Sequence, residues 1–586
     1  MAPDPTNGAI ADALEELGDL YELDGAIVHR VVAYRTGARA VRDAPVSVAE
    51  LARSGRATEL PGIGRTLQEK IVALAQTGSI PAAEKLRTRI PSGLIQLTRL
   101  PGLGPKRARL LHSELGVDSL QSLREAAEAH RLRAVKGLGP KFEETVLDAL
   151  QRPVEEMERA AARTLLPRAL ELAETLAGAL AERVPDAQVI PAGSLRRQAD
   201  SVKDIDLVAV TDAPEQLAAA FAELPEIEQA SGSTAGARGR THSGIAVDLR
   251  IAAPGQLGNL LQHFTGSGAH NAALREAAVR RGLHVSEYGI LDDATGETEH
   301  LVSEQEVYAR LGLAYIEPEL RENRGELQAA VLDAKGRSQL PKLIELADIR
   351  GDLHSHTTAS DGRASIEEMA QAARDRGYEY LAITDHSASH GFGNAVSPEQ
   401  LRRQIELVRA ANEKVEGIEI LAGSEVNILP DGSLDYEDEL LAELDWVIAS
   451  VHTAFAMERS DMTERIVKAI EHPLLDAIGH PTGRKIEQRR PYAVDLEAVF
   501  AAAARVGTML EINGNPDRRD LSDVDARAAV QAGVMLVVDS DAHRPATLAN
   551  VRWGIATARR GWVRAQDVAN SRPLDELRAL RKQARK

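Results

Sequence analysis

Apolar positions recur at helical spacing through residues 1–150, an Ala/Leu/Arg-rich stretch cut by short glycine turns. Three turns share one pattern: LPGIG at 60–64, LPGLG at 100–104 and VKGLG at 135–139, each followed by a helix-forming segment. Residues 153–185 read as one or two further helices, and from 187 to 315 the pattern becomes α/β. There QVIPAGS leads into a strand at IDLVAV (205–210), and a second strand follows at GIAVDLRI (244–251). Residues 317–348 are polar and read as a linker. From 349 onward seven short apolar runs alternate with helical segments: IRGDLHSH, YLAITDH, EILAGSEV, WVIASVH, LLDAIGH, TMLEING and VMLVVDSDAH. Their spacing is that of βα units, so the segment predicts a closed or nearly closed parallel barrel with its chemistry at the carboxyl ends of the strands.

A chain of 586 residues is too long for one core and implies several domains. With 44% apolar and 27% charged residues the composition is globular. No apolar run is long enough to span a bilayer, the N-terminus does not read as a signal peptide, and the absence of cysteine fits a reducing compartment. A cytoplasmic protein that meets no membrane is expected. The net charge of −18 argues against a nucleic-acid partner until its distribution is considered. Residues 51–110 hold eleven Lys and Arg against three Glu, a local footprint for a polyanion.

The glycine turns sharpen that footprint. A Gly-x-Gly turn that opens a helix aims backbone N–H groups outward and lets a phosphate approach with no Cβ in the way. Gly62, Gly64 and Arg65 mark the first such turn; Gly102, Gly104, Lys106 and Arg107 mark the second. Contacts of this kind go to the sugar–phosphate backbone and carry no sequence information.

In the middle segment Gly193-Ser194 precedes Arg197, and the strand that follows carries Asp204 and Asp206, which alternation places on one face. Asp248 stands in the later strand. Three carboxylates at adjacent strand positions suit two Mg²⁺ or Mn²⁺ ions clamping a phosphoryl transfer, with Ser194 and Arg197 on nucleotide phosphates.

Nine acidic or imidazole side chains then fall at or just past the ends of six of the seven C-terminal runs: His354, His356, Asp361, His386, Glu425, His452, His480, Asp541 and His543. With no thiolate available, such a set suits Mn²⁺, Zn²⁺ or Fe and hydrolysis of a phosphate ester by metal-activated water.

LPGIGRTLQEK, LTRLPGLGPKRA, AGSLRR, DID, VDLR, HFTGSGAHNAALR and LGLAYIEPELRE resemble, in order, a family X DNA polymerase of the polymerase beta type. Residues 349–545 resemble a PHP (polymerase and histidinol phosphatase) domain, and the combination resembles bacterial family X polymerases with a C-terminal PHP domain. The fold implied is multidomain α and α/β: a helical helix-hairpin-helix N-terminal region, a polymerase beta-like nucleotidyltransferase palm and a C-terminal (β/α)7 PHP barrel. The expected divisions are a helical domain at 1–85, a second helix-hairpin-helix domain at 86–152 and the palm at 153–255. A nucleotide-selecting subdomain at 256–318, a linker at 319–348 and the phosphoesterase at 349–575 complete them.

The resemblance implies that Asp204, Asp206 and Asp248 bind the polymerase metals, with Asp248 the base for the primer 3′-OH. It places Gly193, Ser194 and Arg197 on the dNTP triphosphate, Phe264, Gly266 and Asn271 on the nucleoside, and Arg275 on a template-side groove contact. His263 stands where the family often has a tyrosine beside the sugar, and Gly268 where an aspartate often sits. Lys70 matches the lysine that forms a Schiff base with a 5′-deoxyribose phosphate in repair members. In the barrel the resemblance implies up to three ions: one on His354, His356, Glu425 and Asp541, a second on Asp361, His386 and His543, and a third on Glu425, His452 and His480. The implied activity is gap-filling DNA synthesis on gapped, nicked or primer-template DNA, combined with 3′→5′ exonuclease, by a monomer associated with the nucleoid during repair. AP endonuclease or 3′-phosphatase are alternatives for the barrel. A small-molecule phosphatase with a nucleotidyltransferase-like appendage, and a non-catalytic DNA-binding scaffold, are the rival readings of the whole chain.

Overall fold

The computed structural model describes residues 4–98, 100, 103–139, 142–143, 146–147, 150, 163–389 and 394–582. The chain divides into two compact units. One comprises residues 1–164, 172–190 and 203–253, and the other residues 165–171, 191–202 and 254–586.

The first unit begins with helices at Asn7–Leu23 and Val28–Asp43, whose apolar stripes (Ile10, Leu14 and Leu17 against Tyr34, Ala38 and Val41) are buried. Tyr21 and Tyr34 stack between them with ring centroids 5.3 Å apart. Further helices at Arg65–Thr77 and Pro105–Leu115 each start directly after a Gly-x-Gly turn. The unit also holds a five-stranded sheet in the order Gln188–Pro191, Asp204–Val210, Ala246–Ala252, Gly236–Thr241, Ile227–Ser233. The second and third strands in that order run parallel and the rest of the described pairings are antiparallel hairpins.

The second unit contains the helices Leu257–Thr265 and Gly268–Val279, a small antiparallel sheet, and the barrel. Residues 319–348, expected as a linker, are packed: Leu320, Arg321, Glu326, Leu327, Leu343 and Ile344 are all buried.

Seven parallel strands follow in sequence order, Gly351–Asp352 through Leu536–Asp539. The seam between first and last is closed by a parallel bridge between Ser355 and Ala542. Asn570 reinforces it, donating Nδ2 to the carbonyls of Gly351 (2.9 Å) and Val538 (2.7 Å). Strand alternation explains what the barrel contains. Tyr380, Ala382, Leu421, Trp446, Ile448, Met509 and Val537 form the inner core. Leu381, Ile383, Val447, Leu510 and Val538 face the surrounding helices. No helix among the described residues is long and apolar enough to cross a membrane.

Candidate metal centre and nucleotidyl-transfer site

The inner-core positions of four strands lead, two residues at a time, to candidate ligands. Tyr380 and Ala382 point the way to His386, Leu421 to Glu425, Trp446 and Ile448 to His452, and Val537 to Asp541. The period that fills the barrel with apolar side chains therefore delivers imidazoles and carboxylates to its carboxyl end.

All nine expected side chains meet there around Glu425. Its Oε1 lies 3.1 Å from His452 Nε2 and 3.0 Å from His480 Nε2. Its Oε2 lies 2.9 Å from His386 Nδ1, 3.3 Å from His354 Nε2 and 3.6 Å from His356 Nε2. Asp541 Oδ1 is 3.3 Å from His356 Nε2, and Asp361 is 3.2 Å from His543 Nε2 and 3.6 Å from His386 Nε2. Donors sharing one ion at about 2.1 Å sit roughly 3.0–3.5 Å apart, so these separations fit common ligation. Three groupings are compact enough to hold an ion: His354, His356 and Asp541; His356, Asp361, His386 and His543; and His386, Glu425 and His452. They overlap the expected sets without reproducing them: Glu425 is absent from the first, His356 joins the second, and His386 stands in the third where His480 was expected.

Among the described residues, neither oxygen of the buried Glu425 accepts a well-oriented hydrogen bond from the imidazoles around it, and neither ring nitrogen of His356 makes one. Buried polar atoms left in this way are costly unless something else satisfies them, and the hard O/N donor set fits divalent cations. Burial by itself would raise the Glu425 carboxyl, but His386, His354 and His452 hold it well below the usual range. Burial and the neighbouring His386 push His356 down to about 4. Burial and the charge of Arg518 push His480 down to about 3. Both rings are therefore neutral lone-pair donors. Burial would also lower His543, but Asp361 and Asp541 raise it to about 9. His480 and Asp541 have left-handed backbones, φ 29° and 54°. Strain of this kind collects at functional sites.

The run TMLEING supplies no expected ligand, yet it supports the others. Glu511 Oε1 lies 2.7 Å from His354 Nδ1, Glu511 Oε2 accepts from the His480 amide, and Asn513 Nδ2 donates to Asp541 Oδ2 at 3.1 Å. With Nδ1 engaged, His354 turns Nε2 to the centre. Sequence reasoning missed Glu511 and Asn513; their position at the end of the sixth run was the available signal.

The centre opens into a cavity of about 810 Å³ that Asp361, His386, His452, Asp541 and His543 share with Arg363, Lys485, Arg489, Arg518 and Arg544. This cationic rim, also missed, focuses a field suited to a phosphodiester. Arg489 lies over the Phe455 ring, 4.3 Å from its centroid, at the same cavity.

In the first unit, Asp206 and Asp248 are direct cross-strand partners, and Asp204 lies two positions along the same face, opposite Ala246. Asp248 Oδ2 accepts from Arg250 Nη2 (2.9 Å) and faces Arg238 Nε at 3.3 Å. Arg238 is its partner across the next strand pair. These arginines, not anticipated, supply positive charge where carboxylates crowd. Gly62 has φ +91°, and Gly64 and Gly104 cap their helices with no side-chain hydrogen bond and open space where a Cβ would sit. Arg65, Lys106 and Arg107 are exposed beside them; Gly102 lies outside the described residues. Part of the local positive charge is answered by acidic residues of the N-terminal segment: Arg53 pairs with Asp4, Arg87 with Glu16 and Arg89 with Asp24. Lys70 is half-buried on the Arg65–Thr77 helix.

In the second unit Gly193 has φ +59° and opens a single turn through Ser194 to Arg196. Arg197 donates Nε to Glu322 (2.9 Å) and Nη1 to the Thr265 carbonyl (2.9 Å). Asn271 donates Nδ2 to the His263 carbonyl at 2.6 Å. A Cβ on Gly266 would stand 2.3 Å from Asn271 Oδ1, so a larger residue there would displace the Asn271 side chain. The His263 and Phe264 rings lie 5.0 Å apart, and Arg275 is exposed on its helix. The buried His270, which had not been singled out, sits between Glu326 (2.7 Å) and the Tyr308 hydroxyl (3.0 Å) and anchors the start of that helix.

A chain that joins helix-hairpin-helix turns, a sheet bearing paired aspartates and a histidine-rich seven-stranded barrel defines a DNA-handling nucleotidyltransferase fused to a metal phosphoesterase. Family models agree segment by segment: a helix-hairpin-helix domain at 5–80, a SAM-like helix-hairpin-helix tandem at 94–152, a DNA polymerase beta thumb at 260–322 and a PHP domain at 352–514. The chain is 37% identical over 577 residues to the "DNA polymerase/3'-5' exonuclease PolX" of Bacillus subtilis (strain 168), covering 97% of this chain and 98% of that protein. It belongs to the bacterial family X DNA polymerases with a C-terminal PHP domain. Its barrel region is also similar to proteins named "Probable phosphatase". The one from Thermoanaerobacter sp. (strain X514) is 37% identical over 33% of this chain and 78% of that protein. The one from Shewanella sp. (strain MR-4) is 33% identical over 33% of this chain and 75% of that protein.

Proposed function

We propose that this protein is a template-directed DNA polymerase that adds dNMPs to a primer 3′-OH and, in its PHP barrel, removes nucleotides 3′→5′, serving gap filling and base-excision repair. The observation that carries this is the gathering of eight other candidate ligands around Glu425 beside a cationic cavity, in a chain that also pairs Asp206 with Asp248 across two strands.

Asp204, Asp206 and Asp248 hold Mg²⁺ or Mn²⁺, and Asp248, oriented by Arg250 and Arg238, takes the proton of the primer hydroxyl. Gly193, Ser194 and Arg197 bind the triphosphate of the dNTP. His263, Phe264, Gly266 and Asn271 bind its nucleoside, with His263 beside the sugar. Gly62, Gly64, Arg65, Gly104, Lys106, Arg107 and Arg275 hold DNA, and Lys70 is the candidate lyase nucleophile.

At the barrel the nine ligands hold up to three Mn²⁺, Zn²⁺ or Fe ions, which when bound supply Lewis-acid polarisation of the phosphate and of the attacking water. Glu511 fixes His354, Asp541 and Asp361 restrain His543, and the Arg363, Arg518 and Arg544 side chains neutralise the substrate phosphates. AP endonuclease and 3′-phosphatase activities use the same chemistry on a different DNA end. The likeness to proteins named as phosphatases keeps a phosphomonoester among the substrates.

Labelled gapped and mismatched DNA, incubated with and without dNTPs in Mg²⁺ and Mn²⁺, tests the reading. Stepwise extension with dNTPs and release of mononucleotides from the 3′ end without them are expected. Release of inorganic phosphate alone would make the barrel a phosphatase. Failure to bind gapped DNA in a salt-sensitive manner would favour a small-molecule enzyme.

A further inference from the structure

The turn that opens at Gly193 does not end at Arg197. Gln198 follows with φ +58°, and Asp200 two residues later. Three arginines of the PHP barrel converge on this short segment. Arg519, fully buried, donates Nη2 to the Gln198 carbonyl (3.0 Å) and lies 3.3 Å from Asp200 Oδ1. Arg484 Nη1 reaches Asp200 Oδ2 at 2.9 Å. Arg560 donates Nη1 to the Arg197 carbonyl (2.6 Å) and to Glu322 (3.0 Å), the carboxylate that also receives Arg197 Nε.

Burying a guanidinium is costly unless a charge answers it. For Arg519 the carboxylate in contact is Asp200, which lies outside the barrel sequence, with the charge of Asp523 adding to it from within the barrel. The 193–200 segment thus supplies a carboxylate and a carbonyl to a buried guanidinium of the barrel, and in turn has its path fixed at residues 197, 198 and 200. Arg197 is gripped on three sides: its carbonyl by Arg560, its Nε by Glu322 and its Nη1 by the Thr265 carbonyl.

We propose that the PHP barrel is a positioning component of nucleotidyl transfer: Arg560 acting through Glu322, and Arg484 with Arg519 acting through Asp200, hold the Gly193–Arg197 turn in the geometry that receives the triphosphate of the incoming nucleotide. The proposal rests on the reading that this turn binds the triphosphate. Preorganising a phosphate-binding turn lowers the ordering that binding must otherwise impose, so the brace acts on nucleotide affinity.

Single-nucleotide insertion by the full-length protein on gapped DNA tests this, with exonuclease on the same DNA as the folding control. Arg560→Ala, Asp200→Asn and the near-isosteric Glu322→Gln are each expected to raise the KM for dNTP at least tenfold. They should change kcat by less than threefold and leave 3′→5′ degradation within twofold of wild type. Arg560→Lys should recover part of the KM. If Arg560→Ala proves poorly folded and loses both activities, the two isosteric variants decide. An unchanged dNTP KM in Asp200→Asn and Glu322→Gln overturns the proposal. Arg197→Ala separates the two layers of the argument. If it too leaves the KM unchanged, the triphosphate reading of the turn has failed. If it raises the KM while the brace variants do not, the brace alone has failed.

Discussion

Glu511 accepts a hydrogen bond from His354 at 2.7 Å, and this contact sets which nitrogen of His354 faces the metal centre. A carboxylate behind a ligating imidazole fixes its tautomer and raises its basicity, and loss of such a partner typically costs about 10–100-fold in metal affinity. Glu511→Gln is therefore expected to shift the Mn²⁺ dependence of 3′→5′ degradation upward by about that factor. Primer extension in Mg²⁺ should not change. A titration of exonuclease rate against Mn²⁺ checks it, and an unshifted curve would remove Glu511 from the support of the centre.

The aspartates of the sheet and the histidine-rich centre of the barrel predict a clean division of labour. Asp204→Ala with Asp206→Ala should abolish primer extension and spare degradation, while His354→Ala with His356→Ala should do the reverse. Denaturing-gel assays of both double variants on one labelled primer-template decide the matter. Joint loss of the two activities in either variant would contradict separate sites, and Mn²⁺-dependent degradation surviving in the histidine variant would place the exonuclease elsewhere.

Part of this arrangement is legible in the chain because alternation carries inward-facing positions to the open end, although His354, His356 and His480 lie an odd number of residues past the inward-facing Leu353 and Ala477 and depart from it. Once Tyr380 and Ala382 are read as a strand facing inward, His386 must follow at the open end, and the same holds for Trp446, Ile448 and His452. The second layer is not legible in the same way. Glu511 reads as one carboxylate inside an apolar run, and only the fold sets it behind His354. The cationic rim of Arg363, Lys485, Arg489, Arg518 and Arg544 comes from separate loops, where each residue alone reads as solvated surface. The 319–348 segment reads as a linker because it is polar, but its charges are partly buried and paired. Glu326 meets His270 and Arg321 meets Glu304. Pairing of that kind depends on long-range contacts that local patterning does not encode.

Lys70 is half-buried on the helix that follows the first Gly-x-Gly turn. A lysine there can meet a 5′-deoxyribose phosphate, whose phosphate suits the uncapped helix start at Gly64. Lys70→Ala is expected to remove the borohydride-trapped covalent adduct with such a substrate and to leave gap filling within a few-fold of wild type. An undiminished adduct would assign the nucleophile to another amine.

Glu304 gives a prediction about acid stability. It is buried against Arg196, at 2.6 Å, and Arg321, which is itself fully buried. Burial by itself would raise the Glu304 carboxyl, but the two arginines hold it below its ordinary value. A carboxyl whose folded pKa lies below its unfolded value, about 4.3, contributes its full stabilisation above that value and loses it as the pH falls through the folded pKa. Replacing one member of a buried ion pair strands the other and costs about 3–5 kcal/mol. Glu304→Gln is expected to lower hydrogen-exchange protection of the Glu304–Arg310 and Leu257–Thr265 helices at pH 7. The difference from wild type should shrink as the pH is taken below about 4.3. A difference that stays constant across that range would mean that the charge of Glu304 contributes nothing to holding these helices together.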